Sequence, residues 1–266
     1  MLGRRVLTAI GLVAVLALVL FALPPPLAVA ALAAIILAGA WEWSALAGFA
    51  RPASRVAYVL ACGAAMAALW IATPDAAGFE RAMLVTMIGW IGLFGWIALA
   101  PRHGGTWLAC IAGLWALAPT FVAFARLYRQ EDGYELVVFV LLLAWAADIG
   151  AFFAGRRFGR LRLAPMVSPN KTWEGVLGGL VAGLAVALAA RAWFGLPALA
   201  FLSLCAAAVL VSVVGDLLES MFKRQRGLKD SGQLLPGHGG ILDRIDSLTS
   251  SVPLLALGLA WLGVIA

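Results

Sequence analysis

Charge is what this chain has least of. Asp, Glu, Lys and Arg make up 12% of its 266 residues, where an ordinary soluble domain carries roughly 25%. Hydrophobic residues make up 64%, and the mean hydropathy is +1.01. A soluble chain of this length could bury a sizeable core but not this much apolar surface, so lipid must cover the remainder. Cysteine is scarce too. Cys62, Cys110 and Cys205 each sit in an apolar run with no Cys-x-x-Cys pair, which argues against both a disulfide framework and a thiolate metal site. The two histidines, His103 and His238, cannot form a histidine cluster, and His103 reads as an exposed loop residue. The net charge of +6 comes with no RNA- or DNA-binding module, so nucleic acid is not an expected partner. There is no internal repeat and no low-complexity linker.

Long apolar runs are what the chain does have. Crossing roughly 30 Å of hydrocarbon takes about 20 helical residues. Nine runs come near that length: Val6–Leu23, Leu27–Phe49, Val56–Ala72, Ala82–Ala100, Trp107–Ala125, Glu135–Gly155, Gly175–Phe194, Leu199–Leu218 and Leu248–Ala266. Pro24-Pro25-Pro26 separates the first two, because consecutive prolines cannot continue a helix. The first run exceeds a signal-peptide core and a second follows at once, so it reads as a retained helix. The expected fold class is all-α: a polytopic integral membrane protein of about nine transmembrane helices with cytoplasmic active-site loops.

The basic residues orient the spans. With the N-terminus inside, fifteen of the nineteen lysines and arginines fall on the cytoplasmic side, and only Arg81, Arg126, Arg129 and Arg191 fall outside. That bias follows the positive-inside rule, and predicts a multi-pass cell (inner) membrane protein whose N-terminus and two polar loops, residues 156–174 and 220–247, are cytoplasmic. The chain divides into an N-terminal scaffold, residues 1–133, and a C-terminal catalytic region, residues 134–266. In the scaffold Glu42, between Trp41 and Trp43, reads as an interfacial residue among aromatic anchors in preference to a catalytic one. Gly39, Gly89, Gly92 and Gly95 read as helix-contact positions.

Function concentrates in the C-terminal half. Asp148 lies well inside the sixth run, and Asp216 and Glu219 end the eighth. A carboxylate at membrane depth costs several kcal/mol, so by default it faces a wet cavity and a cation. Asp216 and Glu219 are three apart, as are Asp243 and Asp246, and each pair shares a face if its segment is helical. Two bland alternatives stand beside this: Asp246 could cap the last helix, and Asp216 could pair with Lys223. Segment Ser220–Asp246 holds five basic residues, three aspartates, one histidine and five glycines. Carboxylates without histidines suit magnesium, and Lys171, Lys223, Arg224, Arg226, Lys229 and Arg244 suit phosphate oxygens. The glycines of Pro236-Gly237-His238-Gly239-Gly240 let backbone N–H groups approach a phosphate.

These residues resemble the signature of the phosphatidate cytidylyltransferase (CDP-diacylglycerol synthase) family. The match runs through Ser220, Lys223-Arg224, Lys229-Asp230, Pro236, His238-Gly239-Gly240, Asp243-Arg244 and Asp246. Upstream, Asp148, the run Gly155–Gly159 and the run Ser168–Gly175 resemble the family's second motif region, with Asn170 standing where many members carry another small or basic residue. The resemblance implies transfer of a cytidylyl group from CTP to phosphatidate with magnesium required, and a homodimer in the bilayer. It implies Lys171, Lys223, Arg224, Lys229, Asp230, His238 and Arg244 as catalytic residues. Ser168, Asn170, Lys171, Thr172, Ser220, Gly239 and Gly240 become substrate contacts, and Asp148, Asp216, Asp243 and Asp246 metal ligands. The carboxylate count leaves room for a second cation.

Chemistry agrees with that expectation. The attacking phosphomonoester has a second pKa near 6, so no general base is needed, and the task is to neutralise and align two polyanions. The alternative class is a cation-coupled transporter or lipid flippase. A carrier would place its ionisable residues near the midplane of repeated halves, whereas here they gather at one face of an unrepeated chain. Phosphatidyl transferases that consume CDP-diacylglycerol carry an Asp-Gly…Ala-Arg pattern that is missing here.

Overall fold

The computed structural model describes residues 2–235, 237 and 239–265, and for 2–7 and 9 the backbone alone. Helix α1 (Leu2–Ala17) runs into a π-helical turn over Leu18–Ala22 and stops at Leu23, which is extended. Then come α2 (Pro25–Leu46), α3 (Pro52–Ala72), α4 (Ala76–Leu99), α5 (Thr106–Tyr128) and α6 (Gly133–Phe158). A short antiparallel hairpin, β1 (Arg162–Ala164) and β2 (Ser168–Thr172), precedes α7 (Trp173–Phe194) and α8 (Ala198–Gln225). The one-turn α9 (Leu242–Ile245) and α10 (Leu248–Trp261) complete the chain.

The triproline acts as a helix start as well as a stop. Pro25 and Pro26 occupy the first positions of α2, where a missing N–H breaks no hydrogen bond. Among the described residues, seven helices, α2 to α8, are long and apolar enough to cross a membrane. The other two expected spans are shorter: Ile10–Ala22 is the apolar part of the first, and α10 has 14 residues. At 1.5 Å per residue α10 is only about 21 Å long.

Helix α5 forms the centre, packed against α2, α3 and α10, and every residue from Ala116 to Ala125 is buried. Thr120 Oγ1 donates to the Thr249 carbonyl at 3.0 Å, tying α5 to α10. Outward-facing side chains such as Ile91, Leu99, Trp107 and Leu199 are apolar and exposed, as a lipid-facing surface requires. The tightest helix pair is α6 and α7. A Cβ on Gly178 would sit 2.2 Å from the Ala154 Cβ, and one on Gly179 would sit 2.8 Å from the Ala147 carbonyl oxygen, so only glycine permits this approach.

The eighth helix outruns its apolar stretch. The sequence places a polar loop from Ser220, but α8 continues to Gln225 and ends at Gly227, which takes φ +68°. Nothing before Gly227 breaks the helix, and a left-handed glycine is a common terminator. Asp216, Glu219, Ser220 and Lys223 therefore share one helical face. Polar segment 156–174 is likewise ordered, as the end of α6 and the hairpin. One end of the bundle gathers the functional segments. Arg226 donates to the Leu46 and Ala47 carbonyls at the C-terminus of α2, α9 packs on α2, and β2 packs on α6, α7 and α8.

Candidate active site

Helices α6, α7 and α8, the hairpin and the α9–α10 junction enclose a cavity of about 730 Å³. Asp148, Asn170, Lys171, Thr172, Asp216, Asp243 and Asp246 line it, and so do Arg156 and Arg162. Apolar side chains line it as well, among them Ala147, Ala151, Phe152, Val176, Val209 and Val213. All four aspartates expected to bind metal therefore meet in one place, although they come from three separate parts of the chain.

Ion pairs fix the acids. Lys171 on β2 pairs with Asp216 on α8. Lys223, one turn beyond Glu219, reaches both Glu219 Oε2 and Asp243 Oδ1 at 2.7 Å. Asp216 thus pairs with Lys171, not with Lys223, and Ser220 Oγ donates to Asp216 Oδ1 at 3.2 Å. Asp243 sits in a nest of donors: the Gly240 N–H at 2.8 Å and the Ser231 N–H at 3.1 Å both reach Oδ2. Burial would raise its pKa, but the hydrogen bonds from Lys223, Gly240 and Ser231 outweigh this and hold it below the ordinary value.

Asp246 is in the opposite situation. Enclosure by protein, and then the negative charges of Asp216 and Glu219, push its carboxyl well above the usual range, with Lys171 pulling the other way. Among the described residues its side chain accepts from the adjacent Ser247 N–H alone, at 2.8 Å, and no side chain caps α10, so the capping alternative fails. The Asp246 and Glu219 carboxyls lie within hydrogen-bonding reach of each other, and Glu219 Oε1 has no other partner among the described residues. Two carboxyls so placed need a proton or a cation between them. Among the described residues, no three His, Cys, Asp or Glu side chains are already grouped as a metal cage. The donors are nevertheless all oxygen, suited to a hard cation that keeps its own water.

The other expected residues divide. Thr172 lines the cavity but also caps α7, accepting from the Gly175 N–H at 3.1 Å. Ser168 stands at the far end of β2, paired with Ala164. Gly239 takes φ +82° and pairs with Leu235. The Arg244 guanidinium is near enough to Asp148 to interact electrostatically. Arg224 is exposed and donates to the Leu228 carbonyl at 3.4 Å, away from the main cavity. Lys229 and Asp230 line a second cavity of about 500 Å³ with Trp41, Glu42 and Arg55. Pro236 and His238 lie outside the described residues.

Two acids carry more than their sequence context indicates. Glu219 reads as a face-sharing neighbour of Asp216, yet it is fully buried and holds Lys223. Glu42 is not an exposed side chain. It is 3% exposed, and its Oε2 accepts from the Leu242 N–H at 2.8 Å and Ser231 Oγ at 3.2 Å. A lone acid in an otherwise uncharged span was the available signal, and the flanking tryptophans obscured it.

These features define an integral membrane protein with an oxygen-rich, lysine-buttressed cavity at one end of its bundle, lined in part by apolar side chains. Residues 3–262 match the Cytidylyltransferase family, and the chain belongs to it. It is 42% identical to the phosphatidate cytidylyltransferase of Pseudomonas aeruginosa, over 98% of this chain and 97% of that one. It is 39% identical to the protein of the same name from Haemophilus influenzae, over 95% and 96%. A third relative of that name, from Brucella suis, is 45% identical over 59% of this chain and 58% of its own. The likeness thus extends well beyond the C-terminal motifs.

Proposed function

We propose that this protein is a phosphatidate cytidylyltransferase. A phosphate oxygen of phosphatidate forms a bond to the α-phosphorus of CTP, the bond from that phosphorus to the β-phosphate oxygen breaks, and pyrophosphate leaves as CDP-diacylglycerol forms. The observation that carries this reading is the meeting of both signature segments, from Asp148 to Gly175 and from Asp216 to Asp246, around a cavity that apolar side chains also line.

The residues suit the problem of joining two polyanions. Lys171 and Lys223 are held by carboxylates and are partly or largely buried, so they are already aimed before substrate arrives and need little reorganisation. Arg244, close enough to Asp148 to interact with it, adds charge for the triphosphate, and Lys229 does so from the second cavity. Asp148, Asp216, Asp243 and Asp246 would hold magnesium, with space for a second cation, and Glu219 joins them as a neighbour of Asp246. Magnesium bound there supplies positive charge to the triphosphate oxygens and draws electron density from the attacked phosphorus. The apolar wall from Phe152 to Val213 admits the lipid sideways from the inner leaflet.

The finer topology belongs to the same reading. The N-terminus, the hairpin and the Arg226–Ile241 loop face the cytoplasm. The Leu2–Ala22 segment and α10 complete nine membrane segments around a C-terminal catalytic region, residues 134–266, and two copies pair in the bilayer. Purified protein in phosphatidate vesicles should form CDP-diacylglycerol and pyrophosphate in equal amounts from CTP, and stop when magnesium is chelated or diacylglycerol replaces phosphatidate. Product without either requirement would contradict the assignment.

A further inference from the structure

Glu42 is the one acid of α2, a helix of the N-terminal half. It reaches about two hundred positions along the chain to the signature loop. Oε2 takes the Leu242 N–H and the Ser231 hydroxyl, which stand at the two ends of the glycine-rich segment. Those ends are also where Asp243 is held: Ser231 and Gly240 donate their N–H groups to its carboxylate, and Leu242 precedes it. The loop packs on Glu42 so closely that a Cβ on Gly232 would lie 2.2 Å from Oε1, and a Cβ on Gly240 would lie 2.3 Å from Oε2. Oε1 itself is buried and has no hydrogen-bond partner among the described residues. Asp243 joins those two ends to each other, and Glu42 joins them to α2.

We infer that Glu42 is a positioning residue for the transfer reaction: it clamps both ends of the Ser231–Leu242 segment to α2 and thereby sets Asp243 and, through Asp243, the Lys223 ammonium. It touches neither substrate nor reacting atoms. The inference rests on the cytidylyltransferase reading for its link to turnover, but the clamp itself can be observed without turnover. A buried acceptor that satisfies two groups eleven positions apart in the chain fixes a loop whose glycines would otherwise leave it many conformations.

The test uses the full chain purified in detergent, with Glu42→Ala, Glu42→Gln and Gly232→Ala compared with the parent. Glu42→Ala should melt within a few degrees of the parent yet lose about a hundredfold in kcat, with KM for CTP and phosphatidate changed less than about threefold. Amide exchange should accelerate in residues 229–243 and stay unchanged in α5 and α6. Glu42→Gln, whose amide oxygen can still accept both hydrogen bonds, should recover kcat to within about fivefold of the parent. If Glu42→Ala does not fold, Gly232→Ala decides. It leaves α2 intact and drives a methyl against Oε1, so it should lose tenfold or more in kcat with the same local exchange. Unchanged loop exchange in the folded variants, or a Glu42→Gln variant as inactive as Glu42→Ala, would overturn the clamp. Absence of turnover in the parent chain would instead strike the cytidylyltransferase reading, leaving the exchange result to judge the clamp alone.

Discussion

Replacing Asp243 with asparagine keeps the side chain's shape and removes its charge. In the parent, Oδ1 faces the Lys223 ammonium at 2.7 Å while Oδ2 accepts from the Gly240 and Ser231 N–H groups. Both oxygens therefore face donors. Asparagine has one oxygen, so in either orientation its NH₂ confronts a donor. Breaking a buried charge pair outright costs about 3–5 kcal/mol. Here Lys223 keeps Glu219 as a partner, so the loss should approach that of a charged hydrogen bond, about 2–3 kcal/mol. If the transition state uses this geometry, the rate falls roughly 30- to 150-fold. The assay is kcat at saturating CTP and phosphatidate, with a melting curve on the same sample to show that the bundle is intact. Turnover within threefold of the parent at unchanged magnesium dependence would refute the reasoning, because it would remove Asp243 from both the lysine pair and the metal site.

Further outcomes follow from the same geometry. Lys171→Ala should lower turnover a hundredfold or more, because Lys171 faces the cavity from its pair with Asp216, whereas Arg160→Ala, on an exposed residue, should change it only a few-fold; equal small losses would mean that the basic residues merely hold the protein to anionic lipid. Gly179→Leu should lower the melting temperature in detergent by forcing α6 from α7, at a cost of about 1–3 kcal/mol or more, while Gly92→Leu, with open space around it, should not; equal melting of the two variants would refute the close-packing argument. Single cysteines at Arg160 and Gln233, in a chain freed of its native cysteines, should resist an impermeant thiol reagent in intact cells, and labelling of both from outside would invert the topology.

Much of the fold was legible because lipid imposes one rule: backbone groups must be satisfied within a helix. Apolar length therefore located α2 to α8, and the triproline marked the α1–α2 break. Length alone misjudged the ends. The polarity of Ser220, Lys223 and Arg224 suggested a loop, but polarity does not end a helix, and Gly227 does. Segment 156–174 hid a hairpin for the same reason, since its charges reported the membrane boundary and not the backbone. In the site, the motif residues Asp148, Lys171, Asp216, Asp243 and Asp246 could be chosen by residue type, because few reasons exist for carboxylates beside apolar spans. Their partners could not. Which lysine meets which acid depends on helix rotation, and Asp216 chose Lys171 over Lys223. Glu42 was hardest to read, because its partners lie 189 and 200 positions away and two of its contacts are to glycines that show no side chain.

The central claim concerns which phosphorus is attacked, and CTP labelled at different phosphates tests it directly. Purified protein is incubated with phosphatidate vesicles, magnesium and CTP carrying radioactive phosphorus at either the α or the γ position, and the lipid is extracted. The account predicts that α-label enters the lipid fraction in step with pyrophosphate release, while γ-label appears only in pyrophosphate. Label from the γ position in the lipid would indicate a kinase, and label from neither would remove the cytidylyl transfer from this cavity.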